Sequence, residues 1–98
     1  MAGMMRIDPD RMATAASRLD ALGQEIQEIR GRTNTVMAEL RECYEGASAR
    51  AFEEYIVSSA LPHLESTAEM CYQTARGIEH TLTQFLDADR TLSGVFAG

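Results

Sequence analysis

Apolar residues return every seven positions from Met5 to Cys43, in two columns. One holds Met5, Met12, Leu19, Ile26, Thr33 and Leu40, and the other Ala15, Leu22, Ile29, Val36 and Cys43. Steps of three and four keep side chains on one stripe of an α-helix, so this tract predicts a long helix with a narrow apolar seam. Thr33 is the one polar residue in either column. The start is signalled by Asp8, a side-chain acceptor suited to the N-cap. Pro9 follows at a position whose N–H is not needed, and Asp10 sits near the positive end of the dipole. Helix one is therefore expected over about 9–43. Gly23 and Gly31 fall outside both columns and each costs roughly 1 kcal/mol in a helix interior, so packing along the seam has to hold the helix.

A second beat of threes and fours runs through Leu61, Leu64, Ala68, Cys71, Ala75, Ile78, Leu82 and Phe85. Upstream, Phe52, Tyr55, Ile56 and Ala60 form a stripe out of phase with it, and Pro62 stands where the phase slips. Proline removes a donor and crowds the preceding turn, which predicts a kink near Pro62 in a helix two of about 48–91, followed by a short C-terminal tail. The two tracts are separated by Tyr44-Glu45-Gly46. Gly46 can take a positive backbone angle at a turn over 44–47, and Tyr44 can lay its ring over the open end of the helices. A helix stop with an apolar plug explains this stretch, and a recognition role can stand beside it. The fold expected is all-α: an antiparallel helix-turn-helix hairpin, one domain over 1–98.

A two-helix hairpin has one line of contact and leaves much of its apolar side in water. Phe52, Tyr55, Ile56, Met70, Tyr72 and Leu86 exceed what that line can absorb and are assigned to a partner interface. A second hairpin, identical or different, would complete a four-helix bundle.

Charge narrows the partners. Fifteen acidic residues against nine basic ones give a net charge of −6, which disfavours nucleic acid and anionic lipid surfaces. No run approaches the roughly 20 apolar residues of a membrane span, and "MAGMMRIDPDRM" lacks the apolar core of a general secretory signal, so export is expected to use another route. In the hairpin Cys43 lies at the turn and Cys71 roughly 35 Å from it at 1.5 Å per residue, which excludes an internal disulfide. His63 and His80 make no Glu-x-x-His pair, and no triad order, phosphate loop or metal spacing is present. No catalytic residue, metal or cofactor is assigned. Glu28 with Arg32 and Arg50 with Glu54 read as ordinary helix-surface pairs.

The chain resembles the WXG family, small helical hairpins associated with type VII secretion in Gram-positive bacteria. The resemblance rests on the helix start near Asp8, the aromatic-x-Gly turn Tyr44-Glu45-Gly46 followed by "ASARAF", and the aromatic-x-x-x-acid pair Phe85 and Asp89 near the end of helix two. The family has tryptophan where this chain has Tyr44, and usually tyrosine where it has Phe85. Those departures place it at the family's edge, where small helical partners of the larger LXG toxins also lie, some of them with the Phe form of the terminal signal. The resemblance implies a secretion signal at Phe85 and Asp89, read by the system's motor ATPase, with the turn of one hairpin beside the terminal signal of its antiparallel mate. It also implies a cytoplasmic stage before export, and a possible escort role in which the hairpin bundles with the helical N-terminal region of an LXG toxin. From the residues alone, Phe85 also reads as core packing. A cytosolic adaptor hairpin that never leaves the cell is the competing function.

Overall fold

The computed structural model describes residues 7–97, with side chains through Arg90. Met5 and the side chains of Leu92 and Phe96 lie outside the described residues. Helix α1 spans Pro9–Cys43, α2 spans Ala47–Tyr55, a π-helical turn covers Ile56–Ala60, and α3 spans Leu61–Ala97. No strand occurs among the described residues. The chain is an antiparallel helical hairpin measuring 76 × 25 × 15 Å, one helix thick, in which α1 packs along α3.

The ends of the elements follow local chemistry. The Asp8 carboxylate accepts the Arg11 N–H at 3.2 Å, which occupies one of the orphan donors of the first turn. At the other end the Tyr44 N–H reaches back to the Leu40 carbonyl at 2.8 Å while its own backbone turns extended. Gly46 then takes φ 119° and ψ 179° and caps α2 through its carbonyl, which accepts the Arg50 N–H at 3.1 Å. That backbone region belongs almost entirely to glycine. Nothing lies within 4 Å of the place a Cβ would occupy, so Gly46 is needed for conformation and not for space.

The seam differs from the one the periodicity suggests. Ala16, Gly23 and Met37 are buried and Arg30 is half-buried, which makes a third heptad column the line nearest α3. Met12, Leu19, Ile26, Thr33 and Leu40 flank it, half-buried. The column Ala15, Leu22, Ile29, Val36 and Cys43, expected to face helix two, is exposed along its whole length, with Leu22, Ile29 and Val36 at 48%, 45% and 51%. The reason is backbone proximity. Ala16 and Gly23 on α1 meet a line on α3 that includes Ala68 and Ala75, both 0% exposed, and small residues let two helices approach where large ones hold them apart. Thr33 satisfies its hydroxyl locally by donating to the Ile29 carbonyl at 2.8 Å.

Gly23 marks the closest approach. A Cβ there would stand 2.5 Å from Cε1 of Tyr72, whose ring lies on the glycine, whereas at Gly31 nothing comes within 4 Å. Gly31→Ala should therefore stabilise the hairpin by roughly 1 kcal/mol through helix propensity alone. Gly23→Ala should lower the melting temperature, because the Tyr72 ring has to leave its seat. Thermal melts of the two variants, with Gly23→Ala/Tyr72→Ala as the control that removes the clash, check this.

Ion pairs line one side of the seam. Arg76 bonds both Asp20 across the hairpin and Glu79 at 3.1 Å, and Arg30 meets Glu65 at 3.0 Å. The hydrogen bond to Asp20, then that to Glu79, raises the Arg76 pKa above its usual value, so the guanidinium stays charged. Glu65, Tyr72 and Glu79 form a single heptad column, which assigns Tyr72 and these pairs to the same side of α3.

The out-of-phase stripe finds its explanation in the π-turn. The Leu61 N–H reaches the Ile56 carbonyl, five residues back, so one extra residue is accommodated in the turn. Ala49, Glu53, Ile56 and Ala60 are half-buried as a result. The phase slip expected as a kink near Pro62 thus takes the form of a π-turn directly before it, where the missing proline donor leaves the Ser58 carbonyl without its usual partner. Helix α3 runs to Ala97, past the expected end near residue 91.

Candidate partner interface and terminal signal

With the ion pairs on one broad side of the hairpin, helical periodicity puts two apolar columns on the other. These are Leu22, Ile29 and Val36 of α1, exposed, and Leu64, Cys71, Ile78 and Phe85 of α3, half-buried. Between His63 and Gln84 the charges of α3 are Glu65, Glu69, Arg76 and Glu79, all toward the side of Tyr72. Thr67, Thr74 and Thr81 continue the opposite side without charge. At the turn end, Met37, Leu40, Tyr44, Ala49 and Phe52 line a cleft of about 730 Å³, bridged by the Arg41–Glu53 ion pair. A hollow of about 300 Å³ beside it brings Phe52 together with Ile29, Val36 and Leu40, so the π-turn places that ring on the same face as the exposed column of α1.

Of the residues assigned to a partner from sequence, Phe52, Tyr55, Met70 and Leu86 are exposed. Ile56 and Tyr72 are half-buried; Ile56 opens the π-turn, and the Tyr72 ring covers Gly23 of the hairpin's own α1. Leu22, Ile29, Val36 and Val57 are exposed apolar residues that periodicity alone credited to the interior or passed over. The available signal was breadth: with Ala16, Gly23 and Met37, α1 carries three neighbouring columns, more than one mate helix can cover.

Tyr44 is exposed on the wall of the cleft. Phe85 is half-buried and Asp89 exposed, one turn apart on the same face of α3. The antiparallel level set by Gly23 and Tyr72 puts Leu86 opposite Pro9, so α3 passes the start of α1 and continues through Asp89 to Ala97. Asp89 is thus two turns short of the helix end and escapes most of the dipole penalty expected of a last-turn acid, because that effect fades within one turn.

Cys43 and Cys71 are both free, exposed and half-buried respectively. Cys71 adjoins the residue seated on Gly23, about 30 Å down α1 from Cys43 at 1.5 Å per residue. Glu28 with Arg32 and Arg50 with Glu54 do not form the surface pairs expected of them; the described ion pairs use Arg30, Arg41 and Arg76 instead. Among the described residues no group of three or more His, Cys, Asp or Glu is placed to hold a metal ion, and no helix is long and apolar enough to cross a membrane.

This geometry defines a class: a thin all-α hairpin with a glycine-capped turn at one end, an aromatic and acid pair at the other, and one apolar side open. The chain belongs to the WXG100 family, described as proteins of 100 residues with WXG, which matches residues 4–90 and so includes both the turn and the terminal pair. Protein YukE of Bacillus subtilis (strain 168) is similar at 29% identity over 89 residues, covering 83% of this chain and 90% of that relative. No solved structure matches the chain. Membership makes this a small protein related to type VII secretion.

Proposed function

We propose that the chain is a non-enzymatic substrate or targeting partner of a type VII system, paired through its apolar side with itself or with another hairpin and carrying a terminal signal at Phe85 and Asp89. The motor ATPase reads that signal, and the paired hairpin helps deliver a larger LXG-type effector by bundling with its helical N-terminal region. The protein is cytoplasmic before export and then secreted. One observation carries the reading: the family match spans both the turn and the terminal pair, while the hairpin leaves a column of Leu22, Ile29 and Val36 uncovered.

The test is export from a host with a working system. Deleting the motor ATPase should abolish the extracellular protein and let it accumulate inside the cell. If it is absent from the medium of the intact strain, the hairpin is a cytosolic adaptor and the export reading fails.

A further inference from the structure

The cleft at the turn end divides two elements that are joined along the chain and stand apart in space. Helix α1 packs along α3, and α2 has no comparable contact with it. No residue of α2 is buried, and its N-terminus has no side-chain cap. Among the described ion pairs, Arg41–Glu53 alone crosses the cleft. Met37, buried, lines its inner side, and the exposed rings of Tyr44 and Phe52 line the rest.

Both ends of α2 can bend. Gly46 precedes it at φ 119°, with nothing within 4 Å of the place a Cβ would take, so rotation there meets no side chain. The π-turn Ile56–Ala60 follows it. Such a turn interrupts the regular hydrogen-bond ladder, and Pro62 removes a further donor just beyond, so the second arm flexes more easily here than within α3. The seam is also poorest beside this end. The Nε of Arg30 is buried and makes no hydrogen bond, and between Arg30 and the turn Met37 is the one buried residue of α1. The other half is closed by Ala16 and Gly23 against the line of Ala68 and Ala75.

We infer that α2 is a hinged jaw, pivoting at Gly46 and the π-turn and strapped to α1 by Arg41 and Glu53. The cleft of about 730 Å³ is the strapped state. When the strap is released, α2 swings away from α1 and carries Phe52 with it, which widens the cleft and opens Met37 and Leu40 to solvent. Separating those apolar groups opposes opening, and backbone freedom at the two hinges favours it. A bridge between exposed side chains adds little to a rigid fold, but it is enough to set a balance this close. The motion is internal to one hairpin and independent of what pairs with its open side.

The test is the distance from α1 to α2, read by pulsed electron spin resonance between labels at Ala38→Cys and Ala51→Cys, both exposed positions. The labelled chain carries Cys43→Ser and Cys71→Ala and is diluted into excess unlabelled chain, so that distances between copies do not contribute. The parent should show a shorter, strapped distance and a longer one. Arg41→Glu, which sets two acids across the cleft, should raise the ratio of long to short about fivefold, and high salt should raise it in the parent about twofold. Arg41→Glu/Glu53→Arg should return it to within about twofold of the parent. Labels at Gln24→Cys and Gln73→Cys, exposed positions on the closed half, should give one distance in every variant. Circular dichroism follows the fold throughout. If labelling disturbs it, hydrogen exchange on the unlabelled chain reads the same motion: Arg41→Glu should speed exchange at the amides of 52–55 and leave those around Ala75 unchanged. A single distance that Arg41→Glu does not move overturns the jaw. A shift at both label pairs means the whole hairpin parts and also overturns it, and a shift that the double variant fails to reverse overturns the strap.

Discussion

Ala75→Glu should abolish the cooperative melt of the hairpin. Ala75 is 0% exposed, on the line where α3 approaches the small residues of α1. A glutamate there has no room without forcing the helices apart, and the described cations nearest that line already have acidic partners: Arg76 is committed to Asp20 and Glu79, and Arg30 to Glu65. Overpacking and an unpaired buried carboxylate together cost several kcal/mol, of order 3–5. Against a total stability of about 5–15 kcal/mol, and with a core this thin, that is enough to lose the fold. Helix signal should fall at 25 °C and proteolysis should become rapid. Gln73→Glu, two residues away and exposed, carries the same charge change and should alter stability by no more than about 0.5 kcal/mol. A sharp melt retained by Ala75→Glu would mean the seam does not run along the Ala68 and Ala75 line.

Asp89→Asn should block export without changing the melting temperature. Because α3 continues to Ala97, the carboxylate is neither a cap nor a last-turn liability, and removing its charge leaves the described packing as it was. Phe85→Ala is the weaker probe. Its ring is only half-buried, so truncation should cost about 1–2 kcal/mol, below the loss from a fully buried phenylalanine, and an export defect would mix signal with stability. The measurement is the extracellular fraction of Asp89→Asn and of any bound effector in a strain with a working system, together with its melt and its association state. Unchanged secretion would remove Asp89 from the signal. Blocked secretion with association intact would mean the acid is read after assembly, and Tyr44→Ala in one mate only would then ask whether the turn is read with it.

Much of the hairpin was legible without coordinates. Asp8 and Pro9 announced where α1 begins, and Tyr44-Glu45-Gly46 where it stops, because caps and positive-φ turns depend on a few neighbouring residues. Pro62 and the phase slip located the disturbance in the second arm. They did not reveal its form, since a kink and a π-turn both answer a misplaced proline, and the choice is made by how the second arm packs along α1. Helix α3 continues past its expected end because no strong stop follows Asp89 before Gly94, and Gly94 lies inside the helix.

By itself the sequence determined that this protein is two long amphipathic helices reversed at Gly46, with an aromatic and acid pair far from the turn, because such features are written in local spacing. Which stripe each helix shows its mate was decided only by the tertiary structure. Periodicity reports where apolar residues stand, and α1 has three such columns side by side. The closest approach of backbones goes to the one with Ala16 and Gly23, where Tyr72 can rest on a missing side chain. That choice turned Leu22, Ile29 and Val36 outward, took Tyr72 into the hairpin's own packing, and left Arg18, Glu25, Arg32 and Glu39 exposed beside them.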